Sequence, residues 1–577
     1  MGYAVEARPQ KIRKVRIGDL LITNGIITPG QLTAALATQK QTGRKLGSVL
    51  VESGFVSEEQ LLTLLAQQLQ IPYIDLKRYH YDPDVVRLIP ETHARRFRAI
   101  ALEDKPEGLL IGLADPTDIS AYDELSRVVG RNIRLAVVNE DDLLRTVDQV
   151  YRRTDEISGL AVELEQELAR DQVDLGDLVG DDKVTDAPVV RLIQSLFEDA
   201  MQVNASDIHI EPEEKEVRIR FRLDGVLRVQ TTADQRIAGA LVSRLKLMAG
   251  LDISERRLPQ DGRCQVRVRE RVIDVRVSTV PLQYGESVVM RLLNQSAGVM
   301  DLESLGMEGD VLVRFRKLIY APHGMVLVTG PTGSGKTTTL YGALQELNRP
   351  ETKIITVEDP IEYHFSGINQ IQVKPRIDLT FARVMRAILR QDPDIILVGE
   401  MRDKETMEIG LRAAMTGHLV LSTLHTNDAI STALRLSDMG AEPYLVAASL
   451  RGVLAQRLVR RVCESCAMPS PLNSLMERMV TTELGDYGGE LTFKRGAGCT
   501  HCNNTGYQGR IPVFEFLELD EELVESLQKD DPAQFLRLAR GKPEYRSLKR
   551  SVIELAARGL TTMDQVARVT YGMQERR

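Results

Sequence analysis

Residues 325–347 read MVLVTGPTGSGKTTTLYGALQEL, an apolar run that breaks into a glycine-rich octapeptide and leaves it as a helix-forming stretch. The octapeptide, residues 330–337, matches G-x-x-x-x-G-K-[ST], and the strand before it and helix after it are the context that gives the match meaning. Gly330, Gly333 and Gly335 let the backbone turn tightly, so that successive N–H groups face a phosphate at a helix N-terminus. Pro331, Thr332 and Ser334 complete the loop; Lys336 brings a point charge to the β- and γ-phosphates; Thr337, with Thr338 beside it, offers a hydroxyl to Mg²⁺. A glycine-rich loop alone is usually a structural turn. With every fixed position and both flanking elements present, the reading is a nucleoside-triphosphate site in an α/β fold.

Three later segments end apolar strands in polar residues. Residues 353–359, KIITVED, continue into Pro360, Ile361 and Glu362; residues 392–403, DPDIILVGEMRD, carry Glu400; residues 417–428, GHLVLSTLHTND, carry His425. In an open parallel sheet, ligands sit outside the carboxyl ends of the strands, so these groups converge beside the loop. Glu400 suits the carboxylate that Mg²⁺ requires. Glu358, Asp359 and Glu362 are candidates to orient and deprotonate water, and His425 to sense the γ-phosphate by hydrogen bond. One strand-end acid is ordinary surface and one histidine an ordinary structural residue; four in order after a complete P-loop point to hydrolysis.

A chain of 577 residues is too long for one core, and three or four domains are expected. Its 43% hydrophobic and 27% charged residues are usual for a globular protein. No apolar run approaches the roughly 18–20 residues that span a bilayer. The start, MGYAVEARPQKIRK, lacks the apolar region of a signal peptide, and Glu6 stands where a myristoylation signal has Ser or Thr. The expectation is a cytoplasmic protein that reaches the inner membrane through partners. Between Asp155 and Asp186, eleven acidic residues face only Arg170 and Lys183, which accounts for the whole chain's net charge of −8. The remainder is near neutral, which argues against a nucleic-acid surface; the acidic stretch reads as a linker, with room for a short helix at about 157–170.

The set GPTGSGKTTT, ITVEDPIE, DPDIILVGEMRD and TGHLVLSTLHTND resembles the secretion ATPases of type II secretion and type IV pilus systems. The resemblance implies a RecA-like ATPase core, Glu362 as catalytic base, Glu400 as the Walker B acid, His425 near the γ-phosphate, and a homo-hexameric ring. Upstream, ASDIHIEP, RIRFRLDGVLR and ERRLPQDGR resemble the preceding α/β domain of that family. RIRFRLDG alternates arginine with apolar residues as a half-buried strand does. The resemblance implies that arginines of this domain reach nucleotide phosphates, and Arg220, Arg222 and Arg236 are the candidates.

Four of the five cysteines form Cys463-x-x-Cys466 and Cys499-x-x-Cys502, the spacing of a closed, structural zinc site rather than of disulfides. Cys264 reads as an ordinary buried thiol. The tetracysteine set resembles that of the export and assembly members of the family.

At the other end, RIGDLLITNGIITPGQLTAALATQKQ (16–41) recurs as KLGSVLVESGFVSEEQLLTLLAQQLQ (45–70), identical at nine of 26 positions. Each unit reads as a short helix, a glycine turn, an N-cap (Thr28, Ser57) and a second helix. The repeat resembles the N-terminal domain of mannose-sensitive haemagglutinin (MSHA) pilus ATPases, which implies cyclic di-GMP as ligand. Arg16 would pair with a phosphate or guanine edge and Gln39 and Gln68 would hydrogen-bond, over an apolar bed of Leu32, Leu36, Leu61 and Leu65. Ile17, Gly18, Leu46 and Gly47 complete the two motifs; Lys45 replaces the family's arginine and loses its bidentate fork. A docking domain with a plain Leu/Ile core is the alternative.

The expected order is a helical repeat (1–70), a small α/β docking domain (71–152), the acidic linker (153–183), an arginine-bearing α/β domain (184–300), and the ATPase domain (301–577) with a zinc subdomain at about 460–505. The function expected is a cyclic di-GMP-regulated ATPase for MSHA-like pilus assembly that engages an inner-membrane platform protein. Its rivals are a type II secretion ATPase without that regulation, a nucleic-acid motor, and a non-hydrolysing scaffold.

Overall fold

The computed structural model describes residues 17–42, 46–79, 81–151, 154–170, 188–268, 271–293, 300–307, 309–485 and 491–571, in two compact units, Met1–Arg152 and Arg153–Arg577.

In the first unit the duplicated sequence folds twice the same way. Helices Ile17–Thr23 and Pro29–Thr42 are repeated by Leu46–Glu52 and Glu58–Leu69. Thr28 and Ser57 each close a capping box, with Gln31 and Gln60 accepting their backbone N–H groups at 2.8 and 3.0 Å. The turns depend on Gly25 and Gly54, both at φ 68°. Gly18 and Gly47 let leucines of the second helices close in: a Cβ there would lie 2.8 Å from Leu32 Cδ1 and 2.9 Å from Leu61 Cδ2. The buried core is paired by the repeat, Leu21 with Leu50, Ile27 with Val56, and Ala35 with Leu64. Beyond it, β1 (Ala99–Lys105) pairs antiparallel with β2 (Gly108–Leu113), and β2 parallel with β3 (Ile133–Val137). Helix Ile119–Val129 makes the β2-to-β3 crossover, and residues 72–74 lie along the other edge of β3.

The second unit opens with a helix where the acidic stretch left room for one at about 157–170. Helix Thr154–Arg170 buries Ile157, Leu160, Ala161 and Leu164 against the core of the following domain, and Glu163 pairs with Arg191. Glu163 is exposed and Glu165 partly exposed while the apolar residues recur at helical spacing, so the first half of the acidic stretch is a docked helix; residues 171–187 lie outside the described residues. A six-stranded antiparallel sheet follows: β4 (Asp207–Pro212), β5 (Glu216–Leu223), β6 (Val226–Asp234), β7 (Gln260–Val268), β8 (Arg271–Leu282) and β9 (Gly285–Leu293), ordered β6-β5-β4-β9-β8-β7. On β5, Val217, Ile219 and Phe221 are buried, and Arg218, Arg220 and Arg222 alternate with them, as the sequence reads.

The ATPase sheet comprises β10 (Gly324–Thr329), β11 (Ile354–Glu358), β12 (Asn369–Gln372), β13 (Ile395–Val398), β14 (Leu419–Leu424) and β15 (Leu450–Val462). After the short β16 (Ala467–Pro469) and β17 (Lys494–Gly496), β18 (Tyr507–Glu518) returns antiparallel to β15. The order is β12-β11-β13-β14-β10-β15-β18, so the strand entering the P-loop is central, between β14 and β15. Every residue of β10, β11, β13 and β14 is buried, which explains why they are mostly apolar, with Thr356, Glu358, Ser422 and Thr423 the buried polar residues of β11 and β14.

Candidate functional site

The P-loop hangs between the end of β10 and helix Lys336–Leu347. Gly330, Gly333 and Gly335 all have φ in the left-handed half, at 147°, 77° and 89°. A Cβ on Gly330 would meet the Gln456 carbonyl at 2.4 Å, so the loop also needs glycine to pack on β15. Lys336 Nζ donates to the Gly330 and Pro331 carbonyls at 2.8 and 3.1 Å. Burial pulls its pKa down to about 8; Glu400 opposes the shift and Arg457 adds to it. Thr339 Oγ1 donates to Gln456 Oε1 at 2.7 Å, tying the P-loop helix to β15.

The acids at the strand ends separate into different roles. Glu358 is buried and its carboxylate is taken: Tyr341 donates to one oxygen, Thr356 and Gln370 to the other. These bonds use most of its acceptor capacity and hold the P-loop helix to β11. Tyr341 Oη in turn accepts the Glu362 N–H at 3.2 Å. Glu362 lies beyond the strand and is gripped by Arg276 of β8, with Nη1 and Nη2 at 2.9 and 2.7 Å from its two oxygens. Glu400 pairs with Arg402 and stands 3.5 Å from His425 Nε2. Arg402 also reaches Asp359 at 3.9 Å. His425 is half-exposed.

A cleft of about 1780 Å³ opens over the P-loop. Its walls include Pro331, Thr332, Ser334 and Thr338 of the loop and helix, and Arg222 from β5, one of the three candidate arginines. All three are paired: Arg222 with Asp207 at 3.4 Å, Arg220 with Glu211 at 2.6 Å, and Arg236 with Asp234 and Glu165. Arg291, Arg457, Arg460 and Arg510 also line the cleft. Arg457, whose pKa is lowered by burial, donates to the Asn427 carbonyl at 2.7 Å. Sequence reading missed Arg276 and Arg457. Both lie mid-strand in runs that alternate or are rich in arginine, VIDVRVSTV and QRLVRRVC, where no local signal singles out one residue.

Cys463, Cys466, Cys499 and Cys502 converge, with sulfurs all within 4.8 Å of one another and separations of 3.8, 3.9 and 3.7 Å for 463–499, 466–502 and 499–502. A tetrahedron with metal–sulfur bonds of about 2.3 Å has edges of about 3.8 Å, so the donor set fits zinc. Backbone N–H groups of Gly498, Cys499 and Gly506 point at Cys466 and Cys502 sulfurs at 3.2–3.3 Å, the pattern that steadies thiolate charge. Cys264 is a half-buried thiol outside this cluster.

Of the expected cyclic di-GMP residues, Arg16 and Lys45 lie outside the described residues, as does the side chain of Ile17. The rest occupy matching places in the two repeats. Leu32 and Leu61 are half-buried over Gly18 and Gly47, Leu46 and Leu65 are half-buried, Leu36 is exposed, and Gln39 and Gln68 are partly exposed near the ends of the second helices. Among the described residues no helix is long and apolar enough to cross a membrane.

A family model described as "Type II/IV secretion system protein" matches residues 182–568, and one described as "MshEN domain" matches 69–157. The second match begins where the second repeat ends and covers the β1–β3 lobe. The type IV pilus assembly ATPase PilB of Myxococcus xanthus is 41% identical over 559 residues, 96% of this chain and 98% of that one. The type II secretion system ATPase E of Vibrio cholerae is 43% identical over 495 residues, 84% and 97% of the two chains. The Legionella pneumophila ATPase DotB, 22% identical, superposes with a TM-score of 0.50 over 70% of this chain and all of its own, a likeness of fold. With the P-loop, its facing acids and these matches together, the chain belongs to the type II/IV secretion system ATPase family and is an ATPase.

Proposed function

We propose that this chain is the homo-hexameric motor of a type IV pilus assembly machine of the MSHA-like kind, working in the cytoplasm against an inner-membrane platform protein and regulated by cyclic di-GMP. The observation that carries the motor reading is the Arg276–Glu362 pair, which joins the preceding α/β domain to the acid beside the P-loop and so links hydrolysis to domain position. ATP would lie on the P-loop with its γ-phosphate toward Glu362 and His425, and Arg222 would face the phosphates from β5. Lys336, released from its loop carbonyls, would pair with the β- and γ-phosphates, and Glu362 would take the proton from the attacking water. Thr337 and Glu400 would hold Mg²⁺, which when bound neutralises charge on the β- and γ-oxygens. The four cysteines would hold a structural zinc.

The catalytic assignment is tested by Glu362→Gln. Turnover should fall to background while a fluorescent ATP analogue binds as before; a variant with full turnover removes Glu362 from the base role. The regulatory assignment is supported by the MshEN match and the twofold repeat. The second reading, a type II secretion ATPase, is favoured by the 43% identity to the Vibrio cholerae ATPase. Complementation of a pilus-assembly deletion and of a secretion deletion with the same gene separates the two.

A further inference from the structure

Residues 425–428 connect β14 to helix Ala429–Asp438, and this four-residue link carries His425. It is tethered at three points. Thr426 is hydrogen-bonded to Thr329 at the end of the P-loop strand, the Asn427 carbonyl accepts from Arg457, and the Ala429 N–H donates to Glu515 Oε1 at 2.7 Å. Glu515 lies on β18, across from Ala455 of β15, and is 2% exposed.

The other oxygen of Glu515 accepts the Leu548 N–H, at 2.9 Å, from the first turn of helix Leu548–Ala557. Each of the two helices already has its own N-cap side chain, Asp428 accepting from the Ser431 N–H and Ser547 from the Arg550 N–H. Glu515 therefore satisfies one further N–H at each helix start, and the positive ends of both dipoles converge on one carboxylate. Tyr545 and Arg457 also interact with it favourably, and the Asp428 carboxylate opposes its charge. Burial raises the Glu515 pKa, and the two backbone N–H groups and Tyr545 hold it down. Burying a carboxylate is costly, and the donors aimed at Glu515 offset that cost. Glu515 also lines the cleft over the P-loop.

We infer that Glu515 is a positioning residue for ATP hydrolysis: it anchors the far end of the His425-bearing link and ties that link to the C-terminal helices. This rests on the reading that His425 works at the γ-phosphate. Without the anchor the link stays fastened at Thr426 and Asn427 but its exit into the helix is released, and His425 loses its fixed distance to the reacting phosphate. Glu515→Gln keeps size and one acceptor while setting an N–H₂ against the other helix start, so it removes half the anchor with the least disturbance of packing.

The experiment compares the full chain with Glu515→Gln, His425→Ala, the double variant and Ser551→Ala, measuring steady-state ATP turnover, fluorescent ATP-analogue affinity and melting. Ser551 donates to the Phe514 carbonyl at 2.9 Å, which tethers the same C-terminal helix to β18 without touching the link. Glu515→Gln should lower kcat about tenfold or more, as sub-ångström misplacement does, with analogue affinity held within about twofold and the cooperative melt retained. The double variant should turn over no slower than His425→Ala alone, and Ser551→Ala should keep wild-type kcat. Wild-type kcat in Glu515→Gln overturns the inference, as do losses that multiply in the double variant or a Ser551→Ala loss equal to that of Glu515→Gln. Failure of the underlying reading shows separately, as wild-type kcat in His425→Ala, a protein in which Glu515 is intact.

Discussion

Lys336 shows how a single residue is tuned by the loop that holds it. Folded onto two carbonyls and largely withdrawn from water, its ammonium has a pKa near 8 against the usual value above 10. Below about pH 8 the group is charged in both folded and unfolded chains, so the desolvation cost is present in full; it is relieved as pH rises from there toward the unfolded lysine pKa. A triphosphate reverses the shift, because opposite charge favours the ammonium. Nucleotide binding at pH 8 to 8.5 should therefore take up a fraction of a proton, read by calorimetry in buffers of different ionisation enthalpy, and Lys336→Arg should take up none. Arg276 is the second case. Its two nitrogens meet both oxygens of Glu362, a geometry lysine cannot copy. Arg276→Ala should lower kcat about ten- to a hundredfold through loss of alignment, and Arg276→Lys should not restore it.

At the scale of elements, the cysteine centre is a clasp between ends of strands. β16 and β17 pair beside it, Cys463 N–H donates to Gly506 O at 3.0 Å, and β18 leaves from Tyr507, whose ring stacks under the Arg460 guanidinium at 3.8 Å. Metal at the cysteines would thus brace the start of the strand that carries Glu515 and the side chain of Arg460 in the cleft wall. The purified chain should hold about one zinc per polypeptide, measured by elemental analysis. Cys502→Ser should lose that metal and lower the melting temperature, because the remaining thiolates are left without a counter-charge. In the repeat, the same element logic appears twice: glycine at the helix face, leucine over it, and a polar cap closing the turn.

For the whole molecule, the relevant property is division of labour between two compact units. The cleft, the acids and the cysteine centre all lie within Arg153–Arg577, and the twofold helical repeat within Met1–Arg152. A chain lacking the first 152 residues should keep ATP turnover and the P-loop's proton uptake. It should lose saturable cyclic di-GMP binding, measured by calorimetry against the full chain. Arg16→Ala in the full chain should weaken that binding without changing basal turnover. Binding that survives the truncation would move the ligand site out of the repeat and the lobe beside it.

Local rules in the sequence determined the P-loop, the buried strands around it, the paired cysteines and the doubled helical unit, because each is a short pattern whose residues act on near neighbours. Only the tertiary structure decided how strand-end groups share out their roles. Glu358 and Glu362 are four residues apart in one acidic segment, yet one is buried under Tyr341 and the other faces Arg276 from a sheet 86 residues upstream. The acidic stretch after the first unit read as linker with room for a short helix, and only packing showed that helix docked through its apolar face. Glu515 gave no sign in sequence, since the two N–H groups that define it come from positions 86 residues before and 33 residues after it. Hydrogen bonds and burial across such separations depend on packing, and packing is a property of the folded chain rather than of any window along it.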